Sequence, residues 1–202
     1  MKTRPVEWGG SSSVIMLDKC LYKFILVINN EKLNMETTTI QPTPTYYSRE
    51  KIFTIAEEWA ITNNYKPGND LVTLVKQLNG EIEYVNFDSW YSDDPSGSII
   101  VRPDGFTIYI PNFTPPLRDR FTIAHELGHF FLHAECGKKP IHVNRHGKGK
   151  LETEANYFGA AFLMPSTYFR ESDIELDGDD SAMASRFLVS EAAIRVRRET
   201  LR

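Results

Sequence analysis

The sequence predicts an α+β domain in which a small antiparallel sheet lies between two groups of helices. Three observations along the 202 residues lead to this fold class. Apolar residues recur at helical spacing after Ser48, they form short strand-like runs between about 82 and 110, and a long apolar helix follows a group of prolines. Helices, then strands, then helices again is an order typical of α+β proteins.

Local signals support each element in turn. Ser48 is a candidate N-cap for the first helix, and Asn79-Gly80 closes a second helix that begins at Leu71. Pro115 and Pro116 separate the sheet from the long helix. Three strands are predicted, of which the last two are joined by a Pro-Asp-Gly turn: 82–87, 98–102 and 106–110.

The composition is that of an ordinary globular protein. With 23 basic and 27 acidic side chains, the net charge of -4 lacks the basic excess that favours direct binding of nucleic acids. The apolar stretch 14–29 is interrupted by charged residues, so it predicts neither a membrane-spanning helix nor a signal peptide. Cys20 and Cys136 have no CxxC partner, which favours reduced thiols. We therefore expect a cytoplasmic protein without a membrane segment.

Residues 1–45 differ in character from the rest of the chain, because Ser/Gly and Thr/Pro clusters of the kind found in linkers lie near their two ends. They are predicted to form an N-terminal extension before a domain at 46–202. Within that domain we distinguish a main part at 46–170 and a C-terminal helical segment at 181–202. The acidic stretch 171–180 between them predicts a solvated linker.

The long helix, predicted at Leu117–His133, contains the HExxH motif His125-Glu126-Leu127-Gly128-His129. Its two histidines are four residues apart and therefore project from one helix face. Zn²⁺ favours such nitrogen ligands, and Glu126 is placed to reach a water at the open coordination position. The motif predicts Zn²⁺ as the cofactor, His125 and His129 as metal ligands and Glu126 as the catalytic residue.

The remaining surface of this helix is almost entirely apolar, so the polar residues form one wedge of about 100° on a buried helix. The alternative is a pair of core histidines satisfied by hydrogen bonds, but it leaves the buried carboxylate of Glu126 unexplained. His133 lies about 12 Å along the helix from His125, which favours a place beside the ligands over a place among them.

A third ligand is predicted on the next helix, which begins near Leu151 and ends at Pro165. Glu152 and Asn156 share one face, whereas Glu154 points away, so Glu152 is the preferred ligand and Glu154 the weaker candidate. Asn156 is placed one turn further on to orient a ligand by a hydrogen bond. Without the motif upstream, both glutamates would be explained as first-turn carboxylates that complement the helix dipole.

These segments resemble the ImmA/IrrE family of zinc metallopeptidases, and the resemblance covers about three quarters of the chain. Residues 1–45 have no counterpart, and Gly159 stands where the family more usually has Ala. The matching segments are Arg120–His129, Leu132-His133, Glu152–Asn156, Leu163-Met164-Pro165, and Phe187–Ala193 with the arginines at 195, 197 and 198.

The resemblance implies an endopeptidase that cleaves a protein substrate, namely a helix-turn-helix transcriptional repressor. It implies that zinc activates a water at His125, His129 and Glu152, and that Glu126 transfers its proton to the leaving amine. The alternative is an interaction module that sequesters a regulator without cutting it. A direct DNA-binding regulator is disfavoured by the charge balance.

Two other features have ordinary explanations. His142 and His146 lie in a basic, glycine-containing stretch between the two metal helices, and a solvated loop explains them better than a second metal site does. The arginines of the C-terminal segment offer a surface for a partner helix or DNA, or simply coat a helix.

Overall fold

The protein is described here from a computed structural model, and the structure describes residues 39–86, 98–143 and 149–202. The described residues all belong to one compact unit, Glu36–Arg202. The predictions made for residues 1–38, for Phe87 and for His146 lie outside the described residues.

The described residues confirm the predicted α+β class. Ser48 caps the first helix as predicted, because its side chain accepts a hydrogen bond from the backbone N–H of Lys51. Asp70 caps the second helix by accepting from the N–H groups of Val72 and Thr73. The helices are α1 (Arg49–Thr62), α2 (Leu71–Gln77), α3 (Pro116–Gly128), α4 (Lys150–Leu163), α5 (Ser166–Glu175), α6 (Asp180–Phe187) and α7 (Glu191–Thr200).

Four strands form one sheet in the order β1-β3-β2-β4: β1 (Gly80–Val85), β2 (Ser98–Arg102), β3 (Gly105–Pro111) and β4 (His142–Val143). β2 pairs antiparallel with β3 and β4, whereas β1 pairs parallel with β3. The prediction of an antiparallel sheet is therefore wrong for β1, and the sheet is mixed. The tight turn between β2 and β3 determines the directions of those two strands only, and β1 lies on the far side of β3.

The helical core is organised around α4, which packs against both α1 and α3. A row of aromatic rings crosses these helices. Trp59 on α1 stacks on Phe131 at a centroid distance of 4.1 Å, and Phe158 on α4 lies 5.3 Å from Phe131 and 5.9 Å from Phe162. Such ring pairs contribute about 0.5–1.5 kcal/mol each beyond the area they bury. They hold α3 and α4 in a defined relative position.

The helix predicted at Leu117–His133 consists of two parts. It is α-helical to Gly128 and continues as a π-helical turn at His129–His133. The backbone N–H of Ala134 donates to the carbonyl of His129, five residues earlier, at 2.9 Å. Single π turns of this kind change the angular position of the side chains that follow them.

The prediction of a solvated linker at 171–180 is wrong for residues 171–175, which are helical, whereas 176–179 form a mostly exposed turn between α5 and α6. α5 continues to Glu175, and two of its carboxylates are paired with arginines of the two helices that follow. Nη2 of Arg198 lies 2.8 Å from Asp173, and Nη1 of Arg186 lies 2.5 Å from Glu175. Composition alone shows the acidic groups but not the arginines that fold back on them.

The first described residues lie against the domain. The N–H of Ile40 donates to the carbonyl of Pro140 at 2.8 Å, and Ile40 forms a β-bridge with Ile141.

Cys136 is disulfide-bonded, so the expectation of a reduced thiol is wrong at that residue, because the lack of CxxC spacing excludes local partners only. Cys20 lies outside the described residues. None of the helices in the described ranges has the length and apolarity needed to cross a bilayer.

Candidate metal centre

The site lies where α3 and α4 approach each other closely. A Cβ atom at Gly128 on α3 would lie 3.0 Å from Cα of Ala155, and one at Gly159 on α4 would lie 3.2 Å from the backbone nitrogen of His125. Both distances are shorter than ordinary contacts of a side-chain carbon. The absence of a side chain at these two positions therefore brings the motif helix and the glutamate helix together.

The three predicted metal ligands converge at this contact. Nε2 of His125 lies 3.2 Å from Nε2 of His129 and 3.1 Å from Oε2 of Glu152. Nε2 of His129 lies 3.6 Å from Oε1 of Glu152. The candidate ligand atoms of these residues all lie within 4.8 Å of one another. Two nitrogens and one carboxylate oxygen thus surround a single point from two helices.

Asn156 contacts His125 from the side opposite to this point. Its Oδ1 lies 2.9 Å from Nδ1 of His125, so that the imidazole Nδ1–H donates to the amide oxygen. With Nδ1 protonated, Nε2 of neutral His125 carries a lone pair that faces Glu152. The predicted position of Asn156, one turn beyond Glu152 on the same helix, therefore places it beside His125.

The pKa values of these groups are shifted from their ordinary values. The pKa of His129 is lowered to about 4, because the effect of burial is larger than the opposite effect of the neighbouring Glu152. Burial raises the pKa of Glu152, but the neighbouring imidazoles of His125 and His129 outweigh this and bring it to about 2. Burial lowers the pKa of His125, yet the nearby carboxylates of Glu152 and Glu126 leave it raised overall. The site therefore holds an ionised carboxylate that attracts positive charge.

Glu126 follows His125 on α3 and is 1% exposed. Its charge acts on His125, since it is one of the causes that raise the pKa of that imidazole. A buried carboxylate next to a group of metal-ligating atoms suits a general base that acts on a water held at the same point.

His133 and Glu154 form a second group behind His129. Nδ1 of His133 lies 3.0 Å from Nδ1 of His129, and Nε2 of His133 lies 3.1 Å from Oε2 of Glu154. His133 thus lies beside the ligands and contacts only one of them. Glu154, which the helix projection turned away from the site, is fully buried on the far side of His133. Sequence reasoning missed this contact, and the only signal was a second glutamate two residues before Asn156.

The chemistry of the donor set fits a zinc ion. Oε1 of Glu152 is buried and has no hydrogen-bond partner among the described residues, and two imidazole nitrogens face the same carboxylate. Two His nitrogens and one Glu oxygen form a known ligand set of catalytic zinc sites, which leave the fourth position to water or substrate. In the described ranges, His142 lies half-buried on β4 and does not join this group.

Comparison with known proteins agrees with this geometry. The family described as IrrE N-terminal-like domain, Peptidase_M78, matches residues 81–199, which include both helices of the site. The chain belongs to this family. The resemblance predicted from the HExxH motif and the helix ending in Leu-Met-Pro is confirmed, and membership identifies a metallopeptidase-like domain.

A search of curated proteins finds no match. A solved structure described as a Mycobacterium tuberculosis transcriptional regulator is similar with a TM-score of 0.52 and 19% identity, over 73% of this chain and 46% of that one. At this identity the likeness concerns the fold alone. The chain spans less than half of the length of that regulator.

Proposed function

We propose that this protein is a zinc-dependent endopeptidase of the HExxH type. The observation that carries the proposal is the convergence of His125, His129 and Glu152 at one point, with the buried carboxylate of Glu126 beside it. His125, His129 and Glu152 would hold the ion. When bound there, zinc polarises the scissile carbonyl and acidifies a water.

The chain's own residues supply the proton transfers and the orientation of the ligands. Glu126 takes a proton from the attacking water and passes it to the nitrogen of the leaving amine as the peptide bond breaks. Asn156 accepts a hydrogen bond from Nδ1 of His125, which directs the Nε2 lone pair toward Glu152. The low pKa of Glu152, about 2, keeps that carboxylate ionised across the physiological range.

We propose a helix-turn-helix transcriptional repressor as the substrate and the cytoplasm as the place of action. Membership of the IrrE-like family supports a role in the control of transcription. A substrate that acts on DNA inside the cell supports the cytoplasmic assignment. We further propose that residues 46–170 act as the catalytic part and 181–202 as an accessory helical segment of the same domain.

The test is incubation of the purified full chain, loaded with zinc, with the helix-turn-helix repressor encoded nearest to its gene. We expect discrete fragments by mass spectrometry. Glu126→Gln should retain zinc but cleave on the order of 10²–10⁴-fold more slowly, because it removes the general base and leaves the ligands in place. Glu199→Gln, which changes an exposed carboxylate on the last helix, serves as the matched control and should cleave normally.

A stable complex with intact repressor, unaffected by Glu126→Gln, would contradict the peptidase assignment and support sequestration of the regulator. Salt-sensitive binding of duplex DNA by the chain itself would also contradict it. Cleavage that persists unchanged in Glu126→Gln would remove the proposed role of that residue.

A further inference from the structure

A carboxylate outside the ligand set is held by the first described segment of the chain. Oε2 of Glu154 accepts hydrogen bonds from the backbone N–H of Thr45 at 2.8 Å and from its hydroxyl at 2.9 Å. Oε1 accepts from the backbone N–H of Tyr46 at 2.9 Å. Tyr46 has a positive φ of 57°, a conformation that lets successive N–H groups point at one anion. Three donors therefore surround a fully buried carboxylate.

The same carboxylate determines where His133 carries its proton. Glu154, ionised and bound by these donors, can only accept, so Nε2 of His133 must donate to it across 3.1 Å. A neutral His133 then has a lone pair on Nδ1, which faces Nδ1 of His129 at 3.0 Å. Only one of these two Nδ1 atoms can carry a hydrogen, and in this arrangement it is that of His129. Nε2 of His129 is left with a lone pair on the side of Glu152.

The opposite arrangement does not bind a metal. If Nδ1 of His133 carried the hydrogen, Nδ1 of His129 would accept it and the proton of neutral His129 would move to Nε2. Nε2 is the atom that lies 3.2 Å from Nε2 of His125, at the point of convergence. A protonated Nε2 cannot act as a ligand.

We propose that Glu154, held by Thr45 and Tyr46, is a positioning residue that acts through His133 to present Nε2 of His129 to the metal. The inference rests on the proposed metal site, and it extends that site to residues on the N-terminal side of α1. Thr45, Tyr46, Glu154 and His133 form a chain of hydrogen bonds that ends on a ligand. The metal centre thus depends on a segment 80 residues before the motif.

The first test measures the wild-type protein and needs no variant. In the zinc-loaded full chain, ¹⁵N NMR of the imidazoles should show a hydrogen on Nδ1 of His129 and on Nε2 of His133. A hydrogen on Nδ1 of His133 would overturn the proposal.

The second test measures zinc affinity by competition with a chromophoric chelator. Glu154→Gln keeps the size of the side chain but adds donors, and should weaken zinc binding by about 10–100-fold. Thr45→Val removes one of the three donors to Glu154 and should weaken zinc binding less than Glu154→Gln does. Thr54→Val is the matched control, because Thr54 is exposed on α1 and, among the described residues, its hydroxyl donates to the carbonyl of Glu50 alone.

Zinc affinity of Glu154→Gln and Thr45→Val within twofold of wild type, with both variants folded, would overturn the proposal. If Glu154→Gln does not fold, the NMR result and Thr45→Val decide. Failure of the peptidase assignment would give a different result. Cleavage would be absent, while the zinc affinities of the variants and the tautomers of His129 and His133 would still be those expected from this proposal.

Discussion

Nη2 of Arg197 lies 2.7 Å from Oε1 of Glu57, although 140 residues separate them along the chain. Arg197 is 1% exposed, and its Nε donates to the carbonyl of Met164 at the end of α4. Its guanidinium lies 4.6 Å from the centre of the Phe53 ring. Glu57 also accepts from the N–H and the hydroxyl of Ser166. This ion pair joins the last helix to α1 and to the junction that follows the glutamate helix.

Arg197→Met should destabilise the fold by about 2 kcal/mol in denaturant unfolding. Removal of one partner of a fully buried pair costs about 3–5 kcal/mol, but Glu57 is partly exposed and keeps its bonds from Ser166. The control is Arg195→Met on the same helix, whose solvent-exposed pair with Asp180 should contribute much less to stability. Equal effects of the two substitutions would contradict this account of Arg197.

Gly128→Ala should lower the free energy of unfolding by about 1 kcal/mol. The added methyl would meet backbone atoms of Ala155 at 3.0 and 3.1 Å, and overpacking of this kind costs about 1–3 kcal/mol. The higher helix propensity of alanine, which favours the helix by about 1 kcal/mol relative to glycine, offsets part of this cost. Gly159→Ala should cost less, since its nearest contact is 3.2 Å. A stability of Gly128→Ala above that of wild type would show that the helices can separate freely.

The metal-free protein should lose stability as the pH falls from 6.5 to 4. Burial lowers the folded-state pKa of His129 from 6.5 to about 4, so the unfolded chain binds this proton first and acid favours unfolding. The full difference corresponds to about 3 kcal/mol. His133, whose pKa burial also lowers, acts in the same direction. The folded-state pKa of His125 is raised instead, so its contribution to stability is lost only as the pH rises above 6.5.

This pH dependence can be assigned by unfolding His129→Gln in chelator across the same range. The variant lacks the titrating imidazole, so its stability should fall less steeply than that of wild type between pH 6.5 and 4. Parallel curves for the two proteins would contradict the buried, neutral state of His129.

Zinc should stabilise the folded protein by about 3 kcal/mol at a free concentration 100 times its dissociation constant. Glu152→Ala should lose most of this gain, because it removes the carboxylate ligand while both histidines remain. Thermal unfolding with zinc and with chelator measures the difference. Glu171→Ala on the exposed side of α5 is the control and should respond to zinc as wild type does. An undiminished zinc effect in Glu152→Ala would exclude Glu152 as a ligand.

The parts of the structure that depend on local chemistry could be predicted from the sequence. Ser48 caps its helix, and the four-residue spacing of the motif histidines places both imidazoles on one face. Glu152 and Asn156 both face the motif helix, as their one-turn spacing requires. In each case the deciding residues lie within one helical turn, where geometry follows from helix periodicity.

The features that were not predictable depend on contacts between distant segments. The parallel direction of β1 depends on the strand beside which it lies. The helix projection turns Glu154 away from the ligands, yet its carboxylate is buried, because it contacts His133 and residues 45 and 46 cover that side of α4. The π-helical turn bears the ring of His133 next to that of His129. It departs from the regular α-helical periodicity that the projection of the side chains assumes.

The pairing of the C-terminal arginines has a consequence for how the last helices meet other molecules. Arg198 contacts both Asp173 and Asp180, and Arg195 contacts Asp180 as well. A phosphate approaching α7 would have to displace carboxylates that already occupy these guanidinium groups. The arginine count of this segment therefore overstates the positive potential that it projects into solvent, and a partner would meet a surface that is close to electrically balanced.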